Sequence, residues 1–419
     1  MIVSEMAENL VGSEIIKLAN EINEKIRGGA NIFNLTIGDF NPEIFPIPAK
    51  FEEEIKKAYE SHKTNYPSAN GILELRKAVS ALLSKHGGIE YSPEEILIAG
   101  GGRPLIYAIF QVILDPGDTV LYPVPSWNNN HYSHLTRVKN IQVETKAEDN
   151  FMPTADQIKP HIHDVNLIAL CSPLNPTGTT FSRKNLASIC DLIIEENKKR
   201  GPNKKPVYLL FDQIYWQLTF GKTTHHNPVV IRPEMREYTL FIDGMSKAYA
   251  ATGVRIGWGF GPKKVINKMK AILGHLGAWA PKAEQVGAAN FLMDEEATDT
   301  FSKDFRARLK KRLDAFYEGF KTLKSMGHPV DAIAPQAAMY LTVKLDLTGM
   351  KTTEGKLLKT IEDVTKHLLD EAKIALVPFY AFGAEKDSSW YRLSVGTASM
   401  QDIESFFESL RNMLTRLSK

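Results

Sequence analysis

From about residue 90 to residue 260, short runs of apolar residues alternate with longer stretches in which apolar positions recur every three or four residues. The runs at 96–99, 119–122, 167–171, 207–211 and 239–242 are too short for helices and are bounded by Gly, Pro or Asp, so each predicts a strand. The stretches at 105–114 and 184–199 carry one apolar face and predict helices. Strands lacking a polar face must be covered on both sides, so this alternation predicts a mostly parallel sheet flanked by helices. Further on, the pattern predicts a long polar-faced helix at 297–326, a strand at 339–345, a helix at 356–372, and strands at 374–377 and 390–395. That tail reads as a smaller α+β layer. The division expected is a large domain at 48–295 and a small domain made of 1–47 and 296–419. No Ser/Gly linker, internal repeat or low-complexity tract separates them, so close packing is expected.

A chain of 419 residues exceeds one typical domain, which agrees with a large unit and a smaller one. Hydrophobic residues make up 43% and charged residues 24%, and the net charge is +2, so nothing electrostatic argues for nucleic acid. Small metabolites are the expected partners. Two cysteines, Cys171 in an apolar run and Cys190 in a helical pattern, indicate buried thiols and no disulfide framework or metal site. Glu5, Glu8 and Glu14 interrupt the first thirty residues, unlike a signal peptide, and no apolar run approaches the roughly 20 residues that span a bilayer. The expected location is the cytoplasm, with no membrane association.

In open α/β sheets ligands bind beyond the carboxyl ends of the strands, so the residues after each apolar run carry the candidate chemistry. Gly100-Gly101-Gly102-Arg103 follows the first run and leads into a helix; it is either a tight connection or a phosphate site built from free N–H groups. It lacks the Gly-Lys-Ser/Thr ending of a P-loop, which argues against a nucleotide-binding protein. After 167–171 comes Asn175-Pro176-Thr177-Gly178, a turn that also offers an amide side chain. After 207–211 comes Asp212, with Tyr215 three residues on; the carboxylate could cap a helix or face a ligand. After 239–242 comes Asp243-Gly244-Met245-Ser246-Lys247, then Gly253-Val254-Arg255-Ile256-Gly257. Each residue alone has a bland reading. A lysine, an aspartate, a tyrosine, an asparagine, an arginine and a glycine loop at successive strand ends together match the needs of pyridoxal phosphate.

The segment 244–257 resembles the cofactor-lysine signature of the class I aminotransferases of fold type I. Asn175-Pro176-Thr177-Gly178 and Asp212-Gln213-Ile214-Tyr215 resemble that family's other two marks, and the likeness runs from Asn34-Leu35-Thr36-Ile37-Gly38 to Tyr391-Arg392-Leu393-Ser394. The resemblance implies that Lys247 holds the cofactor as a Schiff base and serves as the proton-transfer base. It implies that Asp212 keeps the pyridine nitrogen protonated, that Tyr215 and Asn175 contact the ring oxygen, and that Trp127 lies on the ring face, although Trp127 also reads as ordinary core. Phosphate contacts fall to Arg255 and the N–H groups of Gly102 and Arg103, and Ser246 is a further cofactor-binding residue. Arg392 would clamp the substrate α-carboxylate, with Gly38 lining the same pocket. Tyr66 would reach the cofactor of a neighbouring subunit, implying a homodimer.

Three departures from the family pattern bear on the site. Gly244 stands where many members carry a phosphate-binding Ser, residues 101–103 offer no hydroxyl, and Gly38-Asp39-Phe40 is shorter than the usual opening. Arg103 and Arg137 are the candidates for a second arginine that would select a dicarboxylate. The expected activity is transfer of an amino group from an L-amino acid to a 2-oxo acid. A C–S lyase on the same fold begins from the same α-carbanion and is the alternative, and a non-catalytic regulator would need a DNA-binding module for which the N-terminal arm has no room.

Overall fold

The structure is a computed structural model, and it describes residues 3–10, 12 and 14–419. Its main sheet has seven strands: β1 (Ile96–Ala99), β2 (Thr119–Val124), β3 (Lys139–Glu144), β4 (Leu167–Cys171), β5 (Tyr208–Asp212), β6 (Thr239–Gly244) and β7 (Gly257–Phe260). Their order is β1-β7-β6-β5-β4-β2-β3, with every pair parallel except those made by β7, which is antiparallel to both β1 and β6. Successive residues of each central strand enter different cores. Ile98, Leu121, Ile168 and Leu209 pack in one cluster, while Leu97, Val120, Leu167 and Leu210 pack in another. The second is completed by helices Gly102–Ile113 and Lys263–Leu276, the first by Leu73–Leu82, Arg183–Arg200 and Lys282–Met293. Both faces being dry explains why the strands read as unbroken apolar runs.

Two strands of this sheet escape the apolar pattern. β3 is an edge strand whose first two residues, Lys139 and Asn140, are exposed. Polar edge strands are a common defence against unwanted pairing. β7 is Gly-Trp-Gly-Phe, and its glycines have a steric cause: a Cβ on Gly257 would overlap the backbone of Gly101 and Gly102.

The remaining elements form a second layer around a four-stranded antiparallel sheet in the order Val377–Pro378, Trp390–Ser394, Tyr340–Leu345, Val330–Ala332. The long helix is Glu295–Ser325, started by the side chain of Asp294, which accepts from the N–H of Ala297. The helix expected from 356 begins at Ile361, because Thr360 and Asp363 form a capping box there. The expected strand at 374–377 is two pieces: Ile374–Ala375 pairs in parallel with Phe33–Asn34, and Val377–Pro378 pairs with Trp390–Ser394. Leu35, Phe40 and Phe45 join Phe305, Tyr340 and Leu393 in this layer's core. The same core takes in Tyr215 and Leu218 from the loop after β5, so that loop is packed between the layers.

Candidate active site

The carboxyl ends of β1, β4, β5 and β6 open on a cavity of about 700 Å3 that is closed on its far side by residues of the second layer. Small-molecule sites are commonly of this size. Gly38, Gly102, Arg103, Trp127, Asn175, Asp212, Tyr215, Ser246, Lys247, Arg255 and Arg392 all line it. Tyr66 does not. It stands 80% exposed with its ring 5.1 Å from that of Trp279.

Lys247 sits in the short helix Met245–Ala248, directly after β6, and its Nζ donates to the carbonyl of Gly38 at 2.6 Å. Burial pushes its amine down to about 8, partly opposed by the nearby Asp39 carboxylate. Asp39 in turn accepts from the Thr252 hydroxyl at 2.6 Å and from the N–H of Phe40 at 2.8 Å. Asp39, next to Gly38, thus lies close enough to the amine to favour its charged form. Asp212 ends β5; its Oδ1 accepts from the N–H of Ile214 at 3.0 Å, and burial raises the carboxyl to about 6.

At one end of the cavity Arg255 donates to the carbonyls of Thr252 (2.6 Å) and Gly100 (2.9 Å). Gly101 lies beneath the guanidinium at φ 103°, where any Cβ would overlap it, so the glycine loop and Arg255 fit each other closely. The helix Gly102–Ile113 starts at that point and aims its first N–H groups the same way. Gly244, where a family serine was expected, is also sterically fixed: a Cβ there would stand 2.7 Å from the carbonyl of Ile256.

At the other end Arg392 is 1% exposed. Its Nη1 donates to Oδ1 of Asn175 at 3.0 Å and its Nη2 to the carbonyl of Thr36 at 2.6 Å, while Nε is buried with no partner among the described residues. Such an orphaned, charged donor is costly unless a ligand completes it. Tyr215 bonds Tyr340 through their hydroxyls at 2.8 Å, and burial pushes the Tyr215 phenol well above its ordinary value. The Arg103 guanidinium stands 5.5 Å from the Trp127 ring centre, with no hydrogen bond or ion pair among the described residues. Arg137 does not line the cavity; it ends the helix Asn129–Thr136 in a left-handed conformation. Of the two cysteines, Cys190 is buried as expected, whereas Cys171 is only half-buried and lines the cavity.

An amine, a buried carboxyl and an anion-binding end suit a phosphorylated pyridine aldehyde, and the orphaned Arg392 suits an amino acid's carboxylate. Sequence reasoning missed Tyr340, Thr36 and Thr252, as well as Ile15 and Ala19 of the helix Glu14–Arg27, which also line the cavity. The spacing of Ile15 and Ala19, four residues apart on one helical face, was the available signal.

Residues 30–410 match the family described as aminotransferase class I and II. The chain is 29% identical to a probable aspartate/prephenate aminotransferase of Rickettsia felis, over 96% of this chain and 94% of the relative. It is 30% identical to the aspartate/prephenate aminotransferase of Thermus thermophilus, over 94% and 92% respectively. The crystal structure of the aspartate aminotransferase from Rhizobium meliloti superposes with a TM-score of 0.91 at 25% identity, covering 100% of both chains. The chain belongs to the class I and II aminotransferase family. It is a pyridoxal-phosphate-dependent aminotransferase that uses amino acids and 2-oxo acids.

Proposed function

We propose that Lys247 carries the cofactor as a Schiff base and moves the substrate α-proton, while Asp212, Tyr215, Arg255 and Arg392 hold the reacting groups around it. The observation that carries this reading is the convergence of an amine, a carboxyl and the arginines Arg255 and Arg392 on one cavity. Bound there, pyridoxal phosphate supplies an aldehyde for amines and a ring that takes up the electron pair left at the α-carbon. Asp212, whose carboxyl burial raises to about 6, would face the ring nitrogen and hold its proton. Tyr215 and Asn175 would donate to the ring oxygen, and Trp127 would cover the ring. Arg255, Ser246 and the N–H groups of Gly102 and Arg103 grip the phosphate, with no help from position 244. Arg392 receives the α-carboxylate beside the backbone of Gly38. The Lys247 amine, brought down to about 8, is far more often neutral near neutral pH than an ordinary lysine and can take a proton.

Acidic amino acids are the donors we propose. Relatives are named for aspartate and prephenate, and one solved aspartate aminotransferase, from Thermus thermophilus, is described with maleate, a dicarboxylate. Arg103, which lies over the Trp127 ring and makes no ion pair among the described residues, is a cation on the cavity wall that suits a second carboxylate. Arg392→Ala should raise KM for every amino acid, by at least about 30-fold, because breaking a buried charge-assisted contact costs about 2 kcal/mol or more. Arg103→Ala should raise KM for aspartate while leaving alanine and phenylalanine within about twofold. Equal effects of Arg103→Ala on all three amino acids would remove it from side-chain selection. Steady-state rates over an amino acid panel make the comparison.

The two-domain division, 48–295 against 1–47 with 296–419, is supported by the separate core around the four-stranded sheet. A homodimer is supported by Tyr66, an exposed aromatic outside its own cavity. A solution mass of a single chain under assay conditions would contradict it. A cytoplasmic location is in keeping with metabolite substrates, and secretion of the protein into the medium would contradict it.

A further inference from the structure

We propose that Tyr340 is a positioning residue that links Tyr215 to Arg392, so that the cofactor end and the carboxylate end of the site are held by one side chain. This rests on the roles proposed above for Tyr215 and Arg392. Tyr340 begins the strand Tyr340–Leu345 and is 1% exposed. Its hydroxyl lies 2.8 Å from that of Tyr215, with the two rings edge to face at 5.6 Å. Its ring centre lies 4.8 Å from Cζ of Arg392, and the ring of Phe382 lies 4.9 Å from the same carbon. The strand pairing puts Tyr340 opposite Ser394, so Arg392 is its diagonal neighbour.

The backbone fixes where this ring stands. Thr342 donates its hydroxyl to the carbonyl of Thr177 at 2.8 Å, and Ala337 donates its N–H to the carbonyl of Gly178 at 2.9 Å. Gly178, at φ 70°, meets the carbonyl of Tyr340 so closely that a Cβ would overlap it. The glycine of the Asn-Pro-Thr-Gly turn is therefore what lets the strand of Tyr340 dock against the turn of Asn175. If the Tyr215 proton goes to the cofactor ring oxygen, Tyr340 must donate to Tyr215. A hydroxyl that accepts a hydrogen bond donates more strongly itself. The Tyr340 hydroxyl thus strengthens the contact of Tyr215, while its ring face holds the guanidinium of Arg392.

The test uses cofactor-loaded protein without substrate, following the pH titration of the lysine-bound cofactor's absorbance. Tyr340→Phe should raise the midpoint by about half a unit, Tyr215→Phe should raise it further, and the double variant should match Tyr215→Phe alone. Tyr340→Phe keeps the ring, so KM for amino acids should stay within about twofold, whereas Tyr340→Leu should raise it roughly tenfold. An unshifted Tyr340→Phe beside a shifted Tyr215→Phe overturns the link alone. A Tyr340→Phe shift that persists in full in the Tyr215→Phe background also overturns it, because Tyr340 would then act without Tyr215. An unshifted Tyr215→Phe overturns the role of Tyr215 and the link together. A KM for Tyr340→Leu equal to that of the parent removes Arg392 from the proposal.

Discussion

Lys247→Ala should abolish turnover and still give a folded protein. The substitution removes one hydrogen bond, from Nζ to the carbonyl of Gly38, in a helix of four residues whose apolar anchors, Met245 and Ala248, are untouched. Borohydride reduction of the parent followed by peptide mapping should mark Lys247, and the variant should carry no reduced adduct. An adduct on another lysine would defeat the assignment. The depressed amine makes a second, independent signature in the cofactor-free protein. Its folded value, about 8, lies below the ordinary lysine value of 10.5, so between those values the unfolded chain binds the extra proton and stability rises with pH. Below about pH 8 the full cost of burying the cation is present. The alanine variant should lose this pH-dependent gain, and denaturant midpoints at pH 7 and pH 10 would read it directly.

Asp212→Asn should bind the cofactor and lose at least about 100-fold in turnover, equivalent to roughly 2.7 kcal/mol of transition-state stabilisation. The structure sharpens the competing explanation, because the contact Asp212 makes is with the N–H of Ile214, two residues on, a turn that asparagine supports equally well. A purely structural role therefore predicts almost no loss. The amide cannot stabilise a protonated ring nitrogen, so the catalytic role predicts a large one. Rates should be compared after absorbance confirms full loading; a loaded variant within about threefold of the parent would mean that Asp212 faces something else.

How much of this was legible follows from what each residue has to do. Strands buried on both faces announce themselves, so β1, β4 and the ends of β2, β5 and β6 could be read closely, and with them the residues that follow. β7 could not, since Gly257 answers to the backbone of Gly101 and Gly259 to close packing under Leu105 rather than to a hydrophobic period. The split at Leu376 is equally silent, as Ile374 and Val377 are both buried apolar residues that serve different sheets. Tyr340 was hidden for a related reason. In a run of buried strand residues nothing in composition says that one ring meets an arginine across the sheet, because that contact depends on which strand pairs beside it and in what register. As a second arginine, Arg103 and Arg137 stood level in sequence, and the cavity lining separates them: Arg103 is part of it and Arg137 is not.

The reversed strand β7 has a consequence for how the site tolerates change in chain length. A parallel neighbour of β6 would begin at the far end of the sheet, so the chain would have to travel back along the strand before pairing again. Because β7 runs backwards, the chain leaves β6 at Gly244 and re-enters the sheet opposite it at Gly257, so Lys247 and Arg255 are delivered by one short excursion above a single paired rung. The spacing between the amine and the guanidinium is thus set in the first place by that excursion. Residues inserted between 248 and 252 would leave the Gly244–Gly257 pairing intact and yet put the two groups out of step, so this connection has little freedom to drift in length.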